Sequence, residues 1–189
     1  MKQAKVLSDK ELNKLFKVCE LTSHPSRNRL IVAFSFFAGL RAIEIANLKI
    51  SDVFGADGTV NDTIVLSAEQ TKGGKSNVIH VGKKLQRAIK DFVTQHPQTT
   101  KNRDSRLLRT QRGVFSSQSI QNLFRHLYQL AHIPNASSHS GRRTFITNLS
   151  ENGISTRVIQ ELARHSSMVT TQRYIDVSVD KLHKALNSL

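Results

Sequence analysis

The chain has 189 residues, 38% of them hydrophobic, and its 28 Lys and Arg against 14 Asp and Glu give a formal net charge of +14. That imbalance points to a polyanionic partner and to fast electrostatic encounter with it. A single cysteine, Cys19, excludes an internal disulfide and a thiolate zinc cluster. No apolar run reaches the roughly 18 residues a membrane span needs, and the N-terminus has no secretory signal, so a cytoplasmic protein with no membrane partner is expected.

In chain order, Ser8-Asp9-Lys10-Glu11 is a capping box that opens a helix with apolar positions at 12, 15, 16 and 19, which places Cys19 in the core. Pro25 starts a second, strongly apolar helix that runs to about Ala38 and is broken by Gly39. Arg41 to Lys49 predicts a short third helix with Ile43, Ile45, Ala46 and Leu48 inward. The β-branched runs Thr63–Ser67 and Asn77–Val81 predict a small antiparallel sheet around a turn, Thr71-Lys72-Gly73-Gly74-Lys75. Helical pattern resumes from about Lys83 to Thr94. Gln95 to Gly113 is expected to be a basic loop with little to bury. Ser116 to Ala131 is an amphipathic helix with Ile120, Leu123, Phe124, Leu127 and Leu130 on one face. Three short helices follow, at about 139–152, 155–164 and 167–175, and then a helical tail at 180–189 with Leu182, Leu186 and Leu189. With no repeat or linker, residues 1–189 predict one domain of the α+β class, mostly α with a small antiparallel sheet.

Certain residue types recur in an order that suits phosphodiester chemistry. Arg41 follows Gly39 at a helix start, with Glu44 one turn on as an ion partner that can hold it in place. His139 and Arg142 are spaced i, i+3, so they share one helix face. Guanidinium groups answer spreading phosphate charge with rigid paired donors and stay protonated. Arg143, at an adjacent position, is expected to point elsewhere, toward a DNA backbone or a structural partner. His165 precedes Tyr174, one of two tyrosines. A phenol with a pKa near 10 needs a base and cations to become a nucleophile. Tyr128 lies inside an amphipathic helix and is expected to pack. Lys72 and Lys75, in a glycine-rich turn, are candidate proton donors to a leaving oxygen.

Other chemistries find little support. Carboxylates are sparse and unpaired in the C-terminal half, against a two-metal nuclease. No Gly-x-x-x-x-Gly-Lys-Ser/Thr occurs, against ATP hydrolysis. His126 and His132 lack zinc-ligand spacing. No cofactor and no metal are expected.

Taken together, Gly39-Leu40-Arg41-x-x-Glu44, His139-x-x-Arg142 and His165-Ser166-Ser167-x-x-Thr170-Thr171-x-x-Tyr174 resemble the tyrosine recombinase (phage integrase) family from about residue 6 to residue 180. The resemblance implies a catalytic domain of that fold and a site-specific DNA recombinase with Tyr174 as nucleophile and a 3′-phosphotyrosyl intermediate. It further implies that Arg41 and Arg142 grip the scissile phosphate, His139 handles protons at the tyrosine, His165 bonds a non-bridging oxygen, and Lys72 is the general acid, with Lys75 as fallback. Implied partners are double-stranded DNA, a homo-tetramer on DNA formed through exchange of the C-terminal tail, and an accessory DNA-bending protein. The gene would be bacterial or carried by a phage or plasmid. Where relatives carry Leu-Gly before the second histidine, this chain has Ala163-Arg164, which puts a bulky cation beside His165. Few residues precede the catalytic-type region and no N-terminal DNA-clamping domain is present in the sequence. The chain is then either a piece of a longer protein or a short form like the invertases of promoter and fimbrial switches, and the second is favoured. The alternatives are a DNA-binding regulator of the same fold with weak or no cleavage, and a type IB topoisomerase.

Overall fold

A computed structural model describes residues 3–71, 74–110 and 113–175. Its organising element is α2 (Pro25–Ala38), which is apolar nearly all round and buries Leu30 through Phe34 almost completely. A helix without a polar face must be covered on every side. Here α1 (Asp9–Glu20), α5 (Lys83–Gln95) and α7 (Ser140–Glu151) supply the cover. The first of these opens as the sequence predicts: Ser8 Oγ accepts from the Glu11 amide at 3.3 Å, and Glu11 Oε2 accepts from the Ser8 amide at 3.0 Å. At the far end of α2, Gly39 takes φ 62°, where a side chain is strained, and a Cβ there would also lie 2.7 Å from Phe145 Cδ1.

The short helix expected from Arg41 to Lys49 is present as α3 (Ala42–Asn47), and a further turn, α4 (Ile50–Val53), follows after a break at buried Leu48. The cause is tertiary. The Leu107 amide donates to Leu48 O at 2.8 Å, Lys49 bridges to Arg106, and the amides of Ile50 and Ser51 donate to Ser105 O and Arg103 O. The expected basic loop at 95–113 is therefore partly built into the core. Leu107 and Leu108 are buried, and a short antiparallel pair forms from β3 (Arg109–Thr110) and β4 (Gly113–Val114).

The predicted sheet is present as β1 (Thr63–Leu66) paired antiparallel to β2 (Asn77–His80). Register puts buried Ile64 opposite buried Ile79 and exposed Val65 opposite exposed Val78. In α6 (Ser117–Leu130), Ile120, Phe124, Leu127 and Tyr128 face inward, whereas Leu130 is 44% exposed. The buried stripe continues from Leu127 to Ala131, which turns Leu130 out.

Buried residues group into a main core and a small second one. The second comprises Ile146 of α7 with Ile159 and Ala163 of α8 (Thr156–Ala163), with Phe145, Leu149, Tyr174 and Ile175 packed against it. Its link to the main core is the close approach of α7 to α2. At Gly141 an added Cβ would overlap Ser35 Oγ and lie 3.0 Å from Phe36 Cδ2. Only a glycine lets the start of α7 reach the end of α2, and that approach places Arg142.

Candidate active site

Arg41 is the residue that precedes α3, and Glu44 holds it twice. Glu44 Oε2 accepts from the Arg41 amide at 2.8 Å, and Oε1 accepts from Arg41 Nη1 at 2.8 Å. Glu44 is fully buried. Burial pushes its carboxyl up, but the Arg164 guanidinium, the Arg41 amide and the Arg41 guanidinium together hold it below the usual carboxylate range.

Arg142, in the first turn of α7, is 5% exposed. Its Nη1 donates to Gly39 O at 2.8 Å and its Nη2 donates to Ala163 O. Those carbonyls terminate α2 and α8, so the guanidinium sits between the negative ends of two helices. The sequence suggests that helix N-termini surround the arginines. In the structure, C-termini fix Arg142 from behind. Burial first, then the charges of Arg41 and Arg164, push its guanidinium down to about 9, so it stays charged at neutral pH.

Arg164 is the C-cap of α8 and adopts φ 54°, ψ 47°. For an L-residue this left-handed conformation costs about 1 kcal/mol or more. The side chain does not turn toward His165 and the cleft. It runs inward, 4% exposed, and pairs with Glu44 Oε2 at 3.3 Å. It also donates to Ala38 O at 3.3 Å and Gly39 O at 3.1 Å. The bulky cation that the sequence sets beside His165 thus becomes part of the support behind Arg41 and Arg142.

His165 is half-buried, and Nδ1 lies 2.9 Å from the hydroxyl of fully buried Thr171. Burial, then Arg142, Arg41 and Arg164 in that order, push its ring from 6.5 down to about 4, so it is neutral at physiological pH. Its ring stacks on Tyr174 with centroids 5.7 Å apart and planes at 24°. Tyr174 follows α9 (Met168–Gln172), and its amide donates to Thr171 O at 3.0 Å. Thr171 therefore steers both the histidine and the start of the tyrosine turn. Tyr174 and Arg142 line the same cleft.

Tyr174 opens onto a cleft of about 540 Å³ shared with His139, Arg142, Arg143, Thr170 and Arg173. His139, exposed at the start of α7, sits on a turn in which Ser137 O accepts from the Ser140 amide at 2.9 Å. Arg143 corrects the sequence reading. Instead of pointing elsewhere, its guanidinium carbon lies over the Tyr174 ring, 5.7 Å from the centroid, and Nε is buried without a partner. Adjacent helix positions differ by about 100° around the axis. The Tyr174 turn folds far enough over the N-terminus of α7 to meet both arginines. Sequence alone held no signal for that, because it depends on how α9 docks.

Lys72 lies outside the described residues. Its neighbour Thr71 is buried, and Thr71 Oγ1 donates to Lys75 O at 2.8 Å. Gln70 is buried as well and donates to Asn47 O at the end of α3. Gln70, which precedes the lysines in the chain, is thus anchored to the end of the helix that follows Arg41. Lys75 itself is exposed. A second cleft, also about 540 Å³, is lined by Arg27, His96 and Arg109 near the start of α2, at the opposite end of that helix from Gly39.

Residues 5–181 match the model of the phage integrase family. Among curated proteins, the chain is 30% identical over 182 residues to the tyrosine recombinase XerA of Pyrococcus furiosus, covering 96% of this chain and 60% of that one. It is 32% identical over 158 residues to the tyrosine recombinase XerC of Pelobacter propionicus, covering 82% and 49%. The chain thus spans about half to three fifths of the length of these relatives. Among solved structures, the crystal structure of XerA recombinase superposes with a TM-score of 0.76 at 25% identity, covering 98% of this chain and 66% of that one. XerH site-specific recombinase, in its pre-cleavage complex with difH substrate, shares the fold, with a TM-score of 0.72 at 21% identity and coverage of 98% and 54%.

Proposed function

The chain belongs to the phage integrase family, and from that premise we propose that it cleaves and rejoins double-stranded DNA as a site-specific tyrosine recombinase. The observation that carries this reading is the meeting of Tyr174 with His139, Arg142 and Arg143 in one cleft. Behind that cleft, Arg41, Arg142 and Arg164 gather around a single carboxylate, Glu44. Such a surplus of buried positive charge is relieved by an anion, and a phosphodiester has the shape that guanidinium forks match.

In this mechanism Arg41 and Arg142 hold the non-bridging oxygens of the scissile phosphate. The phenol oxygen of Tyr174 attacks phosphorus as its proton passes to His139. A bond forms between the tyrosine oxygen and the 3′ phosphate, and the bond to the 5′ oxygen breaks. That oxygen leaves as a hydroxyl with a proton from Lys72, or from Lys75 in its place. Neutral His165, oriented by Thr171, hydrogen-bonds a non-bridging oxygen and strengthens as charge develops there. Arg143, over the tyrosine ring, favours the phenolate through its positive charge. The phosphotyrosyl link conserves the phosphodiester, so a 5′ hydroxyl from a second strand reverses the step and no nucleotide hydrolysis is needed. Partners in this scheme are duplex DNA, three further copies of the chain acting on two sites, and a DNA-bending accessory protein. The tail at 180–189 that would be exchanged between copies lies outside the described residues.

A duplex nicked just downstream of the cleavage position, so that the short fragment bearing the freed 5′ hydroxyl diffuses away, tests the reading. A covalent protein–DNA adduct is expected from the parent and none from Tyr174→Phe, with binding retained. Binding without an adduct on any candidate site would identify a DNA-binding regulator. Relaxation of supercoiled plasmid without exchange between two sites would identify a topoisomerase.

A further inference from the structure

Arg164 stands in a backbone conformation that favours glycine, yet its guanidinium is among the most deeply buried charges in the molecule, with 4% of the side chain exposed. It touches both supports of the proposed phosphate grip. Through Glu44 Oε2 it meets the carboxylate whose other oxygen orients Arg41 Nη1. Through Gly39 O it shares the carbonyl that receives Arg142 Nη1. A glycine at this position would satisfy the backbone and leave both supports with one donor fewer. We infer that Arg164 is a positioning residue of the reaction centre, setting the aim of Arg41 through Glu44 and of Arg142 through the C-terminal carbonyl of α2.

This inference rests on the phosphate-gripping role proposed for Arg41 and Arg142, and it adds to that role a third arginine that never reaches the substrate. Among the described residues, the charged groups facing Glu44 are Arg41 before α3, Arg164 at the end of α8 and Arg142 from α7. Without Arg164 the carboxyl keeps its burial and loses its largest attractive partner, so it takes up a proton at higher pH. A protonated Glu44 holds Arg41 only as a neutral acceptor.

Arg164→Gly removes the side chain while easing the backbone, which separates the two contributions, and Arg164→Lys keeps the charge without the fork. On the nicked duplex, Arg164→Gly is expected to bind DNA nearly as the parent does and to form the adduct about 10- to 100-fold more slowly, the range for a misplaced reacting group. Its rate is also expected to show, on the acid side, a further fall that the parent's profile lacks. Adding Glu44→Gln to Arg164→Gly removes that acid limb, and Arg164→Lys recovers part of the rate. Unchanged adduct formation with an unchanged pH profile in Arg164→Gly would reduce Arg164 to a helix cap and overturn the inference.

A second measurement does not need cleavage. In proton–nitrogen spectra of arginine side chains, the Arg41 and Arg142 Nε–Hε signals are expected to be dispersed in the parent and to collapse toward the solvent-averaged position in Arg164→Gly. Exposed Arg157, paired with Glu161 at 2.9 Å, serves as control. If those signals stay dispersed, the positioning role fails. If they collapse while the parent itself forms no adduct, the proposed reaction fails and the positioning role stands.

Discussion

Tyr174 and Tyr128 are the chain's two tyrosines, and their surroundings separate them sharply. Tyr128 is buried on Phe124, with ring centroids 5.9 Å apart, and burial raises its phenol well above the ordinary value. Tyr174 stacks on a neutral histidine beneath an arginine and opens to a cleft. Tyr128→Phe should therefore leave adduct formation within about twofold of the parent, since the buried hydroxyl it removes makes no hydrogen bond of good geometry and at most a weak approach to Ser140. Arg143→Leu should slow adduct formation by about 3- to 30-fold with DNA binding retained, because the cation over the ring no longer offsets charge on the ring during attack; single-turnover cleavage reads this directly. His165 supplies a stability prediction. Its ring titrates at about 4 in the folded chain and near 6.5 when unfolded, so the unfolded chain takes up the extra proton first as pH falls. The stabilisation is full above pH 6.5 and drains away down to about pH 4, and His165→Gln should flatten that part of a plot of melting temperature against pH.

Elements place these side chains, and two helix ends matter most. The C-terminus of α2 and the N-terminus of α7 approach so closely that Gly141 has no room for a Cβ against Ser35. Gly141→Ala should cost about 1–3 kcal/mol of stability, the usual range for overpacking. It should also slow adduct formation by more than the loss of folded protein explains, because Arg142 is the next residue. Thermal melting together with single-turnover cleavage below the melting range separates the two effects. α8 and α9 rest on a second core of three buried residues and a few partners, not on the main core. Tyr174, the proposed nucleophile, thus sits on the more lightly anchored part of the fold, while Arg41 sits on the main core, where Ile45 and Leu48 are fully buried.

At the scale of the molecule, a net charge of +14 sets the response to salt. Binding to duplex DNA should weaken steeply as salt rises, with the logarithm of affinity falling by about 0.9 per phosphate neutralised for each unit of log salt. The slope should be nearly the same for specific and unrelated duplexes, whereas the adduct should form only on the former. A titration of affinity from low to physiological salt on both duplexes checks this. Among the described residues no helix is long and apolar enough to cross a membrane. The chain spans only part of its relatives' length.

Much of this was legible in the chain before any coordinate. Ser8 and Glu11 announce α1, the unbroken apolar run announces a central α2, Gly39 announces its end, and the alternation at 63–66 and 77–80 announces the sheet. Each is a local rule of capping, periodicity or turn chemistry, which neighbours in sequence can express. The spacing of Arg41, His139, Arg142, His165 and Tyr174 was likewise readable, because it repeats a pattern that a family shares. Tertiary structure decided what depends on residues far apart in the chain. Leu107 pairs with Leu48 at the break between α3 and α4, Arg143 lies over Tyr174, and Arg164 turns inward to Glu44, 120 positions away. A buried charge goes where its counter-charge and carbonyl acceptors are, and only the folded chain brings those to one place.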